Sequence, residues 1–168
     1  MKLATEINSN ITESIVNGEG YRIVMFVQGC NHRCKGCHNP TTWDINGGIE
    51  YSISEISNHI LNIYKKGKGF FSGITISGGE PLLQDKELLS LLKLLKNEEP
   101  DLNIWIYTGF ELGDIKSRFA NISKYVDVFV TGKYVEELNI SKFADTPGLN
   151  EYKFIGSINQ KILRMNNI

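Results

Sequence analysis

With 168 residues, 41% of them hydrophobic, the chain is long enough to bury the core of one domain, taken as residues 1–168. Its 18 Lys and Arg balance 19 Asp and Glu to a formal charge of −1, which excludes the basic footprint expected of a nucleic-acid partner. The segment from Met1 to Asn10 has neither the basic start nor the apolar centre of a secretory signal. No apolar run approaches a bilayer span, and cysteines are few, so a cytoplasmic protein with no membrane partner is expected.

In chain order, Arg22 to Gln28 is a β-branched and aromatic run that predicts a strand ending at a cysteine-rich loop. A helix is predicted from Ser52, where Ser52-x-x-Glu55 forms a capping box, with Ile56, Ile60, Leu61 and Tyr64 facing inward. His59 falls within this helical pattern, on its surface or in a groove. An apolar run leading into Thr75-Ile76-Ser77-Gly78-Gly79-Glu80-Pro81 reads as a buried strand that stops where the turn residues begin. Asp85 opens a helix whose apolar stripe is Leu88, Leu91, Leu92 and Leu95, and Pro100 prevents its continuation. Asn103 to Tyr107 follows as a strand with Trp105 and Tyr107 in the core, then a loop from Thr108, a helix from about Leu112 to Ala120, and a strand from Val126 to Val130. The sequence shows no internal repeat, low-complexity stretch or linker.

All three cysteines lie in one window, Cys30-Asn31-His32-Arg33-Cys34-Lys35-Gly36-Cys37, and no fourth exists to complete two disulfides or a four-thiolate cage. Thiolates at such spacing select zinc or an iron–sulfur cluster, with the last ligand drawn from histidine, water or a small molecule. His32 and His38 are near enough for a zinc site of three cysteines and one histidine. Structural zinc sites, however, usually gather their ligands as two separated pairs, and no second pair follows here. Further along, Gly78 and Gly79 permit close approach of backbone to a ligand, the alternative being an ordinary strand-to-helix turn.

Together the Cys-x3-Cys-x2-Cys spacing and Gly78-Gly79-Glu80 resemble the signature of the radical S-adenosylmethionine enzymes. The resemblance implies that Cys30, Cys34 and Cys37 hold a [4Fe–4S] cluster whose fourth iron binds S-adenosylmethionine. It also implies that Gly78, Gly79 and Glu80 meet the methionyl end of the cofactor. Gly36 and His38 are placed on the adenine side, although His38 could simply cover the cluster. Thr108 is placed near the ribose, or else satisfies local backbone.

Strand–helix alternation predicts an α/β fold with a parallel sheet and its functional loops at the carboxyl ends of the strands. A complete eight-stranded barrel takes about 250 residues, so the expectation is a partial, open (β/α) barrel of the radical S-adenosylmethionine type. Its open side would admit a large substrate such as a peptide loop.

Within that superfamily, Ile15 to Gly20, Gly29 through Pro40 with Trp43, Trp105 to Gly109, Asp127 to Tyr134 and Gly156 to Gln160 resemble the family of anaerobic ribonucleoside-triphosphate reductase-activating proteins. Thr131 stands where an acidic residue is expected, and Ile158 where a small polar one is. This resemblance implies an activating enzyme that takes electrons from a flavodoxin or ferredoxin. It would use them to cleave S-adenosylmethionine and generate a glycyl radical on the reductase large subunit. Alternatives are activation of another glycyl-radical enzyme such as pyruvate formate-lyase, chemistry on a free metabolite, or a zinc-binding interaction module. No spacing in the sequence assigns a role to His32.

Overall fold

A computed structural model describes residues 1–143 and 153–167. Two short pieces, β1 (Lys2–Leu3) and β2 (Thr12–Ser14), flank α1 (Ile7–Asn10) and precede the first long strand, β3 (Arg22–Val27). After the cysteine loop come β4 (Ile49–Glu50), α2 (Ile53–Lys66), β5 (Gly73–Gly78), α3 (Asp85–Glu98) and β6 (Ile104–Tyr107). The described chain then continues through α4 (Leu112–Arg118), α5 (Ala120–Ser123), β7 (Val128–Thr131) and β8 (Lys161–Arg164).

The sheet runs β4-β1-β3-β5-β6-β7-β8, with β2 paired to β3 off this path. Its centre, β3-β5-β6-β7, is parallel, as the strand–helix alternation predicts. At both sides the sheet goes beyond the expected parallel arrangement, because β1, β2, β4 and β8 pair antiparallel. These are short strands of two to four residues, and antiparallel pairing does not require the crossover helix that joins parallel neighbours. The end strands β4 and β8 do not pair, so the sheet does not close into a barrel.

Local signals account for the helices. At α2, Ser52 Oγ accepts from Glu55 N–H at 3.2 Å while Glu55 Oε2 accepts from Ser52 N–H at 2.8 Å, the capping box read from the sequence. The stripe of α3 delivers Leu88, Leu91, Leu92 and Leu95 to full burial, each side chain contributing about 1.5–3 kcal/mol. Unforeseen in the sequence, Pro81–Gln84 forms a 3-10 turn that leads into this helix. The helix predicted over Leu112 to Ala120 instead breaks at Phe119 (φ −120°, ψ 23°), a kink that lets both Ile115 and Ile122 reach the core. The last predicted strand starts two residues late. Asp127 Oδ2 accepts from Ile104 N–H and from Lys96 Nζ, a side-chain bond where a regular ladder would use backbone. No helix of the described residues is long and apolar enough to cross a membrane.

Strand periodicity sorts the two faces of the sheet. Ile74, Ile76, Ile104, Ile106 and Phe129 join the helices in the main core, whereas Trp105, Val128 and Val130 pack on the other face against Ile155. Arg22 lies on this second face, only 1% exposed, at the amino end of the strands. It donates to Thr75 Oγ1 at 2.8 Å, to the carbonyls of Ile74 and Asn103 at 2.7 and 3.1 Å, and to that of Glu19 at 3.2 Å. Its guanidinium sits 5.2 Å from the Trp105 ring centroid. Burial lowers its pKa to about 10, so it remains a cation at neutral pH and holds that charge by hydrogen bonds. Replacing Arg22 by Met keeps the apolar stem but removes its donors from these acceptors, of which Asn103 O keeps the Ile74 N–H. The expected cost is about 2 kcal/mol, read as a lower urea midpoint, and an unchanged midpoint would contradict it.

Candidate active site

The register of the parallel strands sets Val27 beside Gly78, and Tyr107 beside Val130, so the turns after β3, β5, β6 and β7 emerge at one end of the sheet. A cavity of about 210 Å³ opens there. Its walls bring together Cys30, Cys34, Cys37 and His38 from the loop after β3, Gly78, Gly79 and Glu80 from the turn after β5, and Thr108 and Gly109 from the turn after β6. Phe26, Ser77 and Tyr107 reach it from the sheet face opposite the helices. Gly36 does not line this cavity. A Cβ at that position would come within 2.9 Å of Glu136 Cδ, which places the residue on the far side of the cysteine loop.

The ends of the loop are stitched down by backbone bonds. Gly29 N–H donates to Thr42 O at 2.8 Å and Cys30 N–H to Trp43 O at 3.2 Å, so the returning segment lies against the entry of the loop. Gln28, buried at the end of β3, reinforces this by donating to the carbonyls of Thr41 and Asp44. Inside the loop Arg33 adopts φ +48°, a left-handed conformation uncommon for a side-chain-bearing residue and a feature of tightly wound functional loops. Lys35 reaches Glu136 at 3.0 Å and Glu137 at 3.4 Å on the exposed outer side.

The three thiols are free and partly buried. Burial pushes the Cys30 and Cys34 thiols up from their ordinary values. Among the described residues no three His, Cys, Asp or Glu side chains gather closely enough to hold a single metal ion. Three thiols set around the wall of one cavity fit instead a group with several metal atoms, in which each thiolate meets its own. A further mark of fit is the Trp43 indole Nε1, which is buried beside the cavity with no acceptor among the described residues.

Gly78 and Gly79 are explained first by packing. Gly78 has φ +103°, and a Cβ there would come within 2.6 Å of Val27 N. Gly79 N–H donates to Val27 O and Glu80 N–H to Gly29 O, both at 2.8 Å, so this turn lies directly on the entry to the cysteine loop. Glu80 is 1% exposed. Its Oε1 accepts from Leu82 N–H at 3.0 Å and Thr108 Oγ1 at 2.8 Å, and its Oε2 from Gly109 N–H at 2.7 Å and His32 Nε2 at 2.9 Å. The hydroxyl proton of Thr108 is therefore given to Glu80. The His38 ring lies 4.9 Å from that of Tyr134.

Tyr107, assigned to the core from sequence, lines the cavity, and its hydroxyl donates to Phe154 O at 2.7 Å. Desolvation pushes its phenol up, so it remains protonated. Tyr134 and Gln160 also line the cavity; they lie in the carboxyl-terminal strings that carry the family resemblance, but nothing in their spacing marks them as site residues. Thr131, where an acidic residue is expected, is buried at the end of β7 and its hydroxyl donates to Lys161 O. Ile158 donates its N–H to Leu138 O.

The family model for a 4Fe-4S single cluster domain matches residues 16–163. An anaerobic ribonucleoside-triphosphate reductase-activating protein of Vibrio cholerae is 37% identical over 152 residues, 89% of this chain and 92% of the relative. The chain belongs to this family. The activating protein of Haemophilus influenzae is 36% identical over 73% of this chain and 80% of its own length, and that of Enterobacteria phage T4 is 36% identical over 76% and 80%. The family match spans the cysteine loop and every turn that lines the cavity, so membership and geometry refer to the same residues.

Proposed function

We propose that this chain activates an anaerobic ribonucleoside-triphosphate reductase, as a radical S-adenosylmethionine enzyme on a partial, open (β/α) barrel. The observation that carries the reading is the convergence of three free thiols and a Gly-Gly turn on one cavity, in a member of the activating-protein family. Cys30, Cys34 and Cys37 would hold a [4Fe–4S] cluster and leave one iron for S-adenosylmethionine. When bound, the cluster supplies the electron that cleaves the sulfonium, and hydrogen is then taken from a glycine of the reductase.

What the chain itself contributes is placement. The Gly78–Gly79 turn offers main-chain groups rather than side chains to the methionyl end, and His38 with Tyr134 forms an aromatic wall for the adenine. Phe26 and Tyr107 give the floor an apolar, partly desolvated character, which protects reactive chemistry from solvent. The barrel assignment is supported by the segregation of the helices to one face while the cavity takes residues from the other. Electrons would come from a flavodoxin or ferredoxin.

The test is electron paramagnetic resonance on an anaerobic mixture of reconstituted protein, reductant, S-adenosylmethionine and the reductase from the same source. A glycyl doublet is expected. A sample whose reduced cluster is visible but which yields no doublet would count against the reductase as substrate.

A further inference from the structure

Glu80 is buried at the rim of the cavity, and its two oxygens already take four donors from the protein. A carboxylate so occupied has no acceptor position left for the ammonium of a ligand, and it acts instead by what it ties together. Leu82, Thr108 and Gly109 lie in the turns after β5 and β6, which the sheet already positions. The fourth donor, His32, lies at the middle of the cysteine loop, which has no strand of its own. The His32 side chain is 9% exposed and packs edge-on to Phe110 at 4.9 Å. A Cβ on Gly109 would come within 2.6 Å of His32 Nε2, so the turn after β6 leaves room for the imidazole. The ion pairs of Lys35 are exposed and add little to holding the loop.

We propose that His32 is a positioning residue, which through Glu80 locks the cysteine loop to the turns after β5 and β6 and so fixes the cluster relative to the S-adenosylmethionine end of the cavity. This rests on the function proposed above. Breaking the tie frees the middle of the loop and removes one of the four bonds that orient Glu80. The turns that carry Gly79 and Gly109 then lose a shared anchor.

The experiment compares the anaerobically reconstituted full chain with His32→Leu, with His32→Gln, whose amide nitrogen reaches about as far as the imidazole Nε2, and with Glu80→Gln in single and double combination. Amide hydrogen exchange over residues 79–83 and 108–111 reads the tie, iron content reads cluster assembly, and the response of the reduced-cluster resonance to S-adenosylmethionine reads affinity. In His32→Leu, exchange in both turns should quicken about tenfold and affinity should fall about tenfold at full iron content. His32→Gln should stay within about threefold of wild type, and the leucine change should cost little more once Glu80 is already Gln.

Wild-type exchange in His32→Leu, an equal defect in His32→Gln, or additive losses in the double variant would overturn the proposal. Should His32→Leu fail to fold, Gly109→Ala carries the test from outside the cysteine loop, because its methyl group displaces His32 from Glu80. Quickened exchange over 79–83 is expected there, and unchanged exchange would overturn the tie. Exchange is measured without S-adenosylmethionine. Protected turns in a wild-type protein that shows no response to the cofactor would therefore count against the proposed function and not against the tie.

Discussion

Replacing Cys34 by Ala should abolish cluster assembly, so that iron and sulfide in the reconstituted protein fall to background and no glycyl doublet appears on the reductase. The loop from Cys30 to Cys37 holds every cysteine in the chain, so no other thiol can take over. The His32 Nε2 is committed to Glu80 at 2.9 Å. His38 is turned to the Tyr134 ring. The fold should survive the change, since the Cys34 side chain is partly exposed and outside both hydrophobic clusters. Melting of the metal-free chain is expected to shift by no more than about 0.5 kcal/mol, the range for a substitution away from the core. Iron and sulfide assays beside a circular-dichroism melt separate the two effects. Wild-type iron content in the variant would remove Cys34 from the ligand set.

The parts of this protein that could be read from its sequence are those whose signal is local. Ser52 and Glu55 cap α2 through a three-residue relationship, and the leucine stripe of α3 repeats at helical spacing, so neither depends on distant chain. The cysteine loop was legible because three cysteines stand within eight residues. By contrast β8 (Lys161–Arg164) is partly exposed along its length and has no alternating pattern; only its pairing with β7 makes it a strand. β1 and β4 are two residues each, too short to carry periodicity. Glu80 shows the same limit at the site. The resemblance places it at the methionyl end of the cofactor, but three of its four donors lie 28 to 48 residues away, and only the folded chain brings them to the carboxylate.

Gly79→Ala should damage the cluster site as well as cofactor binding, because the space its Cβ would need is already filled by the backbone of Gly29. A Cβ there overlaps the Gly29 carbonyl oxygen and comes within 2.9 Å of its carbonyl carbon and 3.1 Å of its nitrogen. Backbone cannot rotate aside as the tip of a long side chain can, so the two segments must separate. That separation strains two 2.8 Å bonds, Gly79 N–H to Val27 O and Glu80 N–H to Gly29 O, and displaces the residue next to Cys30. Overpacking of this kind costs about 1–3 kcal/mol. The expected result is a lower urea midpoint together with reduced iron per chain, and normal iron with normal stability would refute the packing argument. Gly113→Ala supplies the opposite sign. Nothing lies within 4 Å of its added methyl group, it sits in the first turn of α4, and alanine restricts the unfolded chain more than glycine does. That variant should gain about 0.5 kcal/mol and keep its iron. The two substitutions are the same chemical change, so opposite outcomes would show that the loss at Gly79 comes from its contact with the entry to the cysteine loop.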